Sequence, residues 1–335
     1  MTPSPGATRR ARLAAALLAG ALAGALSGRV GGSGDLDQLL FGARAWAAGS
    51  NPYDVVGPSG RPFFWPWALY YPLPALAIVW PFVATLPTVA ARAAFEGVGV
   101  ALLTYGLTAR GWALLPILVS APCLYAVVVG QWAPLLTAAA LLPGATVLWS
   151  AKPNVGLSLW AADPRWRRLA APAAALLATA VLWPWWPAAW FSALATGPQF
   201  AVPARMAWGV PLLALLRWRR PEARLLAALA CVPQSGFVYE ALPLLAMVPA
   251  TRVQALALAL ASYAVPIGVV AADPSPYAAA VHTSTWLLLA FCYLPCLVLV
   301  LRRPNDGPVP AWLERAVEWP RLWRRSRPET PSEVP

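Results

Sequence analysis

Asp35, Asp37 and Asp54 fall within one stretch, DLDQLLFGARAWAAGSNPYD at residues 35–54, of a chain with only 13 acidic residues in 335. The stretch follows the first apolar run, so scarce carboxylates gather where the chain first leaves a bilayer. A carboxylate there can take a proton from a hydroxyl or accept hydrogen bonds at the membrane surface. Two other residue types occur once each. Lys152 is the only lysine and His282 the only histidine, every other basic residue being arginine. Lys152 precedes Pro153, which biases it away from helix. It is either a snorkelling lysine at a helix end or a cation awaiting a partner near the membrane, for which a phosphate is a candidate. Arg205 is a second phosphate candidate, with a headgroup contact as its plainer reading, and Arg61 and Arg110 share that ambiguity. His282 could touch phosphate, and Glu240, beside Tyr239, could hydrogen-bond a polar ligand or cap a helix.

The element that must position the acids is a short amphipathic helix over 36–48. Leu36, Leu39, Leu40, Ala43, Trp46 and Ala47 recur at helical spacing, with Asp37, Gln38 and Arg44 on other faces. Asp35 sits where an N-cap belongs, and Gly49 with Asn51-Pro52 supplies the stop. As a cap, Asp35 would be held ionised by the helix dipole, which fixes its place and blunts its basicity.

Composition sets the surroundings. Hydrophobic residues make up 59% of the chain and charged residues 11%, against about 25% charged in a soluble domain. Apolar runs long enough to cross a bilayer recur along the chain. They lie near 11–28, 72–87, 88–108, 111–129, 131–150, 154–163, 169–188, 207–217, 223–235, 240–250, 253–271 and 283–301, several of them short enough to be half-helices. The expectation is an all-α polytopic integral membrane protein with about 10–12 transmembrane helices and interfacial helices in the first outer loop. The basic start could belong to a cleaved signal peptide, but the further spans favour a retained first one.

The net charge of +12 sits in short clusters between apolar runs: Arg9-Arg10-Arg12, Arg165-Arg167-Arg168, Arg217-Arg219-Arg220-Arg224 and Arg302-Arg303. That is a positive-inside pattern, not a nucleic-acid surface. With the N-terminus inside, 29–71, 189–206 and 272–282 face outward and Lys152 is outside; the same count puts Gln131 inside, unless it slips by one there or Gln131 lies deep in a broken hairpin. Residues 1–303 form the membrane domain and 304–335 a cytoplasmic tail, with a surface helix expected around 312–323. Cys123, Cys231, Cys292 and Cys296 lie in apolar runs with no histidine or carboxylate beside them, so neither metal nor disulfide is expected. No Gly-rich phosphate loop is present to bind a nucleotide sugar.

The stretch from Asp35 to Tyr53, with Arg44 nine residues after Asp35 and Asn51-Pro52-Tyr53 closing it, resembles the first extracytoplasmic loop of glycosyltransferase family 87. The likeness continues in Tyr70-Tyr71-Pro72-Leu73-Pro74, Gly130-Gln131, Lys152-Pro153-Asn154, and Pro233-Gln234-Ser235 followed by Tyr239-Glu240. The resemblance implies a C-type glycosyltransferase fold and a polyprenyl-phosphate-mannose-dependent, inverting mannosyltransferase of the plasma membrane with an extracytoplasmic site. It implies Asp35 as catalytic base. The expected substrate-binding residues are Asp37, Arg44, Tyr53, Tyr71, Lys152, Asn154, Tyr239 and Glu240 from these motifs, with Arg205 and His282 from the outer loops. The partners are a lipid-linked sugar donor, a glycolipid or glycan acceptor and membrane lipids, with no cofactor beyond the donor. A lipid-linked sugar transporter or flippase, and a non-catalytic carrier-binding subunit, are the competing readings.

Overall fold

The computed structural model describes residues 5–30, 34–60, 63–197 and 200–317. Arg61 and the tail beyond 317 lie outside the described residues. Within them, regular structure is helical apart from one parallel pairing of Val56–Gly57 with Phe63–Phe64 and an isolated bridge between Ala201 and Gln234. Three helices are long and apolar enough to cross a membrane: Thr8–Arg29, Arg252–Ala272 and Tyr277–Leu301. The number reaches six if each of three bent pairs is one span. Large apolar side chains such as Leu17, Leu18, Leu22, Val181 and Val270 point outward, as a surface facing lipid requires.

Proline sets the bends. Leu73–Val83 meets Thr88–Arg110 at 108° across Pro87, and Arg167–Leu182 meets Trp186–Ala195 at 108° across the Trp183-Pro184-Trp185-Trp186 run. A proline lacks the backbone N–H that would continue the ladder, so each run ends and restarts in a new direction. The first helix, Pro5–Arg29, packs on Thr88–Arg110 through small residues. A Cβ on Gly20 would stand 2.6 Å from the Gly97 carbonyl, and one on Gly24 2.9 Å from that of Ala93. Only glycine permits this approach, which in a membrane supplies the dispersion contact that a hydrophobic drive cannot.

Three helices share two ends, and those ends differ in character. Pro153–Ala162 begins beside Lys152, Pro221–Cys231 ends just before Pro233, and Tyr277 opens the long helix that runs to Leu301. At the far ends the arginines gather. Arg224 donates to the carbonyls of Ala161 and Ala162, while Arg303 pairs with Glu222 at 2.6 Å and donates to Val248. Arg220 pairs with Glu222 and Asp306, and Arg219 with Glu314. The basic loops therefore meet at one end of the bundle, as the positive-inside pattern requires. Residues 311–317 are helical, and Trp312 packs against Trp160 and Trp166 with its indole N–H on the Pro164 carbonyl.

Two expectations change. The helix carrying the acids runs Asp37–Ala47, its cap position is Leu36, and no side chain caps it. Asp35 is not its N-cap. Gln131 lies not at the end opposite Lys152 but with it in one cavity. Gly130-Gln131-Trp132 is a turn between two short helices, Ala121–Val129 and Ala133–Leu141. That broken hairpin carries Gln131 back to Asp35.

Candidate active site

Asp35 is held by its backbone, with its side chain turned to the cavity and to Gln131. Its N–H donates to the Val129 carbonyl at 2.6 Å, and its own carbonyl accepts from Gln38 Nε2 at 3.0 Å. The turn around it is tied down by Asp37. One oxygen of Asp37 accepts from the Gly34 N–H at 3.1 Å and from Arg92 at 3.0 Å, and Arg92 also reaches the Val30 carbonyl at 2.9 Å. Arg92 is fully buried and Asp37 nearly so. A buried ion pair of this kind contributes more to fixing geometry than to net stability. Gly130, at φ +72, lets the turn close: a Cβ there would stand 3.0 Å from the Leu36 Cβ and 3.3 Å from Arg92 Cδ.

With the cap bond absent, the Asp35 carboxylate is available. Oδ2 accepts from Gln131 Nε2 at 2.5 Å, and the side chain lines a cavity of about 400 Å³. That is a volume typical of small-molecule sites. Gln38, Gln131, Lys152, Asn154, Ser235 and Glu240 supply its other polar groups, and Trp65, Trp67, Tyr70, Tyr71, Trp190, Phe200, Phe237, Tyr239 and Tyr277 its aromatic walls. The stretches 29–71, 189–206 and 272–282 all contribute to it. The walls brace one another, Tyr70 against Phe200 and Trp67 against Tyr277, and Trp190 donates its indole N–H to the Tyr70 carbonyl at 2.9 Å.

The charges in the cavity are few. The Lys152 ammonium lies 5.4 Å from the Tyr239 ring centroid and forms no ion pair among the described residues. Glu240 uses one oxygen to accept from Ser235, from its N–H at 3.1 Å and its Oγ at 2.7 Å. Its other oxygen is buried without a hydrogen-bond partner among the described residues. Burial pushes the Asp35 carboxyl above the ordinary carboxylate range; the Gln131 hydrogen bond and the Lys152 charge oppose that rise, and Asp37 adds to it. A carboxylate raised in this way is a better base than an exposed one, provided the pH keeps it ionised.

Of the residues singled out from sequence, Asp35, Tyr71, Lys152, Asn154, Tyr239 and Glu240 meet in this cavity. The others do not line it. Asp37 is occupied by Arg92 and Gly34. Arg44 holds a helix junction, donating to Thr88 Oγ1 at 2.8 Å and the Leu86 carbonyl at 3.0 Å. Tyr53 stands behind the wall, its hydroxyl on the Tyr71 carbonyl at 2.9 Å. Arg205 is exposed, and His282 is exposed and accepts from the Trp286 indole at 3.3 Å. Arg92, Ser235 and the aromatic walls other than Tyr71 and Tyr239 carry weight that sequence reasoning did not give them. For Arg92 the signal was present: a charge inside an apolar run usually has an internal partner. No family model, no curated protein and no solved structure matches this chain.

Proposed function

We propose that this protein is a membrane glycosyltransferase that moves a hexose, mannose by the family likeness, from a polyprenyl phosphate carrier to a hydroxyl of a cell-envelope glycolipid or glycan. The observation that carries the reading is one cavity containing a cavity-facing carboxylate, a lone ammonium and aromatic walls. Asp35 takes the acceptor hydroxyl proton as that oxygen attacks the anomeric carbon. The bond from that carbon to the phosphate oxygen breaks, and polyprenyl phosphate departs with the electron pair beside Lys152. Displacement from the opposite face inverts the centre, so a β-linked donor gives an α-linked product. A phosphate leaves as a stable anion and needs no acid, unlike the leaving group of a glycosidase.

Depth in the membrane supports a lipid donor. Pro153–Ala162 has 10 residues, about 15 Å of helix, between Lys152 and the basic end. The cavity floor then lies well inside an apolar layer about 30 Å thick. With the basic end cytoplasmic, the cavity opens to the outer side of the plasma membrane. The short apolar helices around it serve as half-spans of a C-type glycosyltransferase-like bundle of ten to twelve segments, since irregular backbone at membrane depth is tolerated where it lines a cavity.

Lys152→Ala tests the reading through two readouts. In proteoliposomes supplied with polyprenyl phosphate mannose, the KM for donor rises because the phosphate loses its cation. The acid limb of kcat/KM also moves. Transfer needs ionised Asp35, so it is present above the Asp35 pKa and lost as pH falls through it. Removing a charge that holds that pKa down shifts the limb to higher pH. An unchanged donor KM with an unmoved limb would remove Lys152 from the site.

A further inference from the structure

A second cavity, of about 270 Å³, lies away from the first on the apolar surface. Its wall on the Tyr277–Leu301 helix is Trp286, Ala290, Tyr293, Leu294 and Leu297, a stripe at helical spacing, and Trp208 faces it from the neighbouring segment. No charged side chain lines it. We infer that this groove holds one acyl chain of an anionic glycerophospholipid whose phosphate is met by Arg205 and His282.

Length, shape and charge each support that occupant. Trp286 to Leu297 spans eleven helical rises, about 16 Å, which matches one leaflet of an apolar layer about 30 Å thick. Ala290 leaves the groove its width. Trp208 is 87% exposed at φ +47, a left-handed conformation that a non-glycine residue rarely adopts and that tends to mark ligand clamps. That backbone carries the Trp208 indole to 6.1 Å from the Trp286 ring, closing a rim over an otherwise apolar trough. A π-helical turn over Leu289–Tyr293 interrupts the same helix, and such turns are frequent at functional sites.

The headgroup end carries one cation, Arg205, and one neutral donor, His282. Arg205 lies one turn before Trp208, whose N–H bonds to its carbonyl, and the Arg205 side chain is exposed. His282 lies one turn before Trp286 and accepts from that indole through Nε2. Its Nδ1 therefore carries the proton and can donate to a phosphate oxygen. The groove also touches the first cavity indirectly. Tyr293 accepts from Gln234 Nε2 at 2.8 Å, and Pro233 and Ser235 on either side of Gln234 line that cavity. A chain seated on Tyr293 would brace that wall. The groove can hold a lipid whether or not the first cavity transfers a sugar.

Native mass spectrometry of the full chain with equimolar palmitoyl-oleoyl phosphatidylglycerol and phosphatidylcholine is the test. The wild type should retain one phosphatidylglycerol about fivefold in preference to phosphatidylcholine, the scale of one arginine contact at a membrane surface. Ala290→Trp, at an exposed position, should fill the groove and abolish retention. Arg205→Ala with His282→Ala should erase the preference while the protein stays monodisperse. Equal retention of the two lipids by the wild type, or retention unchanged in both variants, would overturn the inference.

Discussion

Under the proposed mechanism, Asp35→Asn is expected to lower sugar transfer from a polyprenyl phosphate donor by about 10²–10⁴-fold, the contribution of a positioned base, and to leave the fold intact. The substitution keeps the side chain's size. Its carbonyl oxygen can still accept from Gln131, and the backbone bonds to Val129 and Gln38 do not involve the side chain. What disappears is the ability to take a proton. The check is transfer of labelled mannose in proteoliposomes at matched protein, with size-exclusion profiles compared. Retained activity in a well-folded Asp35→Asn variant would remove the mechanism and leave the cavity a binding site.

Arg92→Met has a comparable effect by another route. The guanidinium is fully buried against Asp37 and the Val30 carbonyl, so its removal leaves an unpaired buried carboxylate. Breaking one partner of such a pair costs about 3–5 kcal/mol. The turn carrying Asp35 loses its anchor at the same time, so activity falls along with stability. Adding Asp37→Asn to Arg92→Met relieves the uncompensated charge and recovers part of the stability. Recovery is incomplete, because the Val30 carbonyl still lacks its donor. Thermal unfolding of the purified variants in detergent measures both changes. A single variant as stable as the wild type would mean that this pair does not hold the loop.

How much of this was readable beforehand differs by level. Fold class followed from hydropathy, since apolar runs and arginine-rich loops are one-dimensional signals. The basic loops do meet at one end through Arg220, Arg224 and Arg303. Crossing number was less readable, because proline-broken runs such as 111–150 can be one span, two half-spans or a hairpin. That ambiguity misplaced Gln131. At the site, Asp35 and Lys152 stood out by rarity and position, and both line the cavity. Asp37 and Arg44 looked equally available in sequence, but a buried arginine took one and a carbonyl with a threonine hydroxyl took the other. Pairings of this kind join residues about forty to fifty-five positions apart, and no local pattern announces them. Asp35 failed as a cap because the helix begins two residues later, at Asp37, with Leu36 in the cap position, and its carboxylate accepts from Gln131 instead.

The central claim is best tested with wild-type protein in sealed proteoliposomes containing a β-linked polyprenyl phosphate sugar and a glycolipid acceptor. Release of polyprenyl phosphate, with one new α-linked sugar on the acceptor for each donor consumed, is the predicted result. Donor that stays intact, or that crosses the bilayer without any new glycosidic bond, would contradict it.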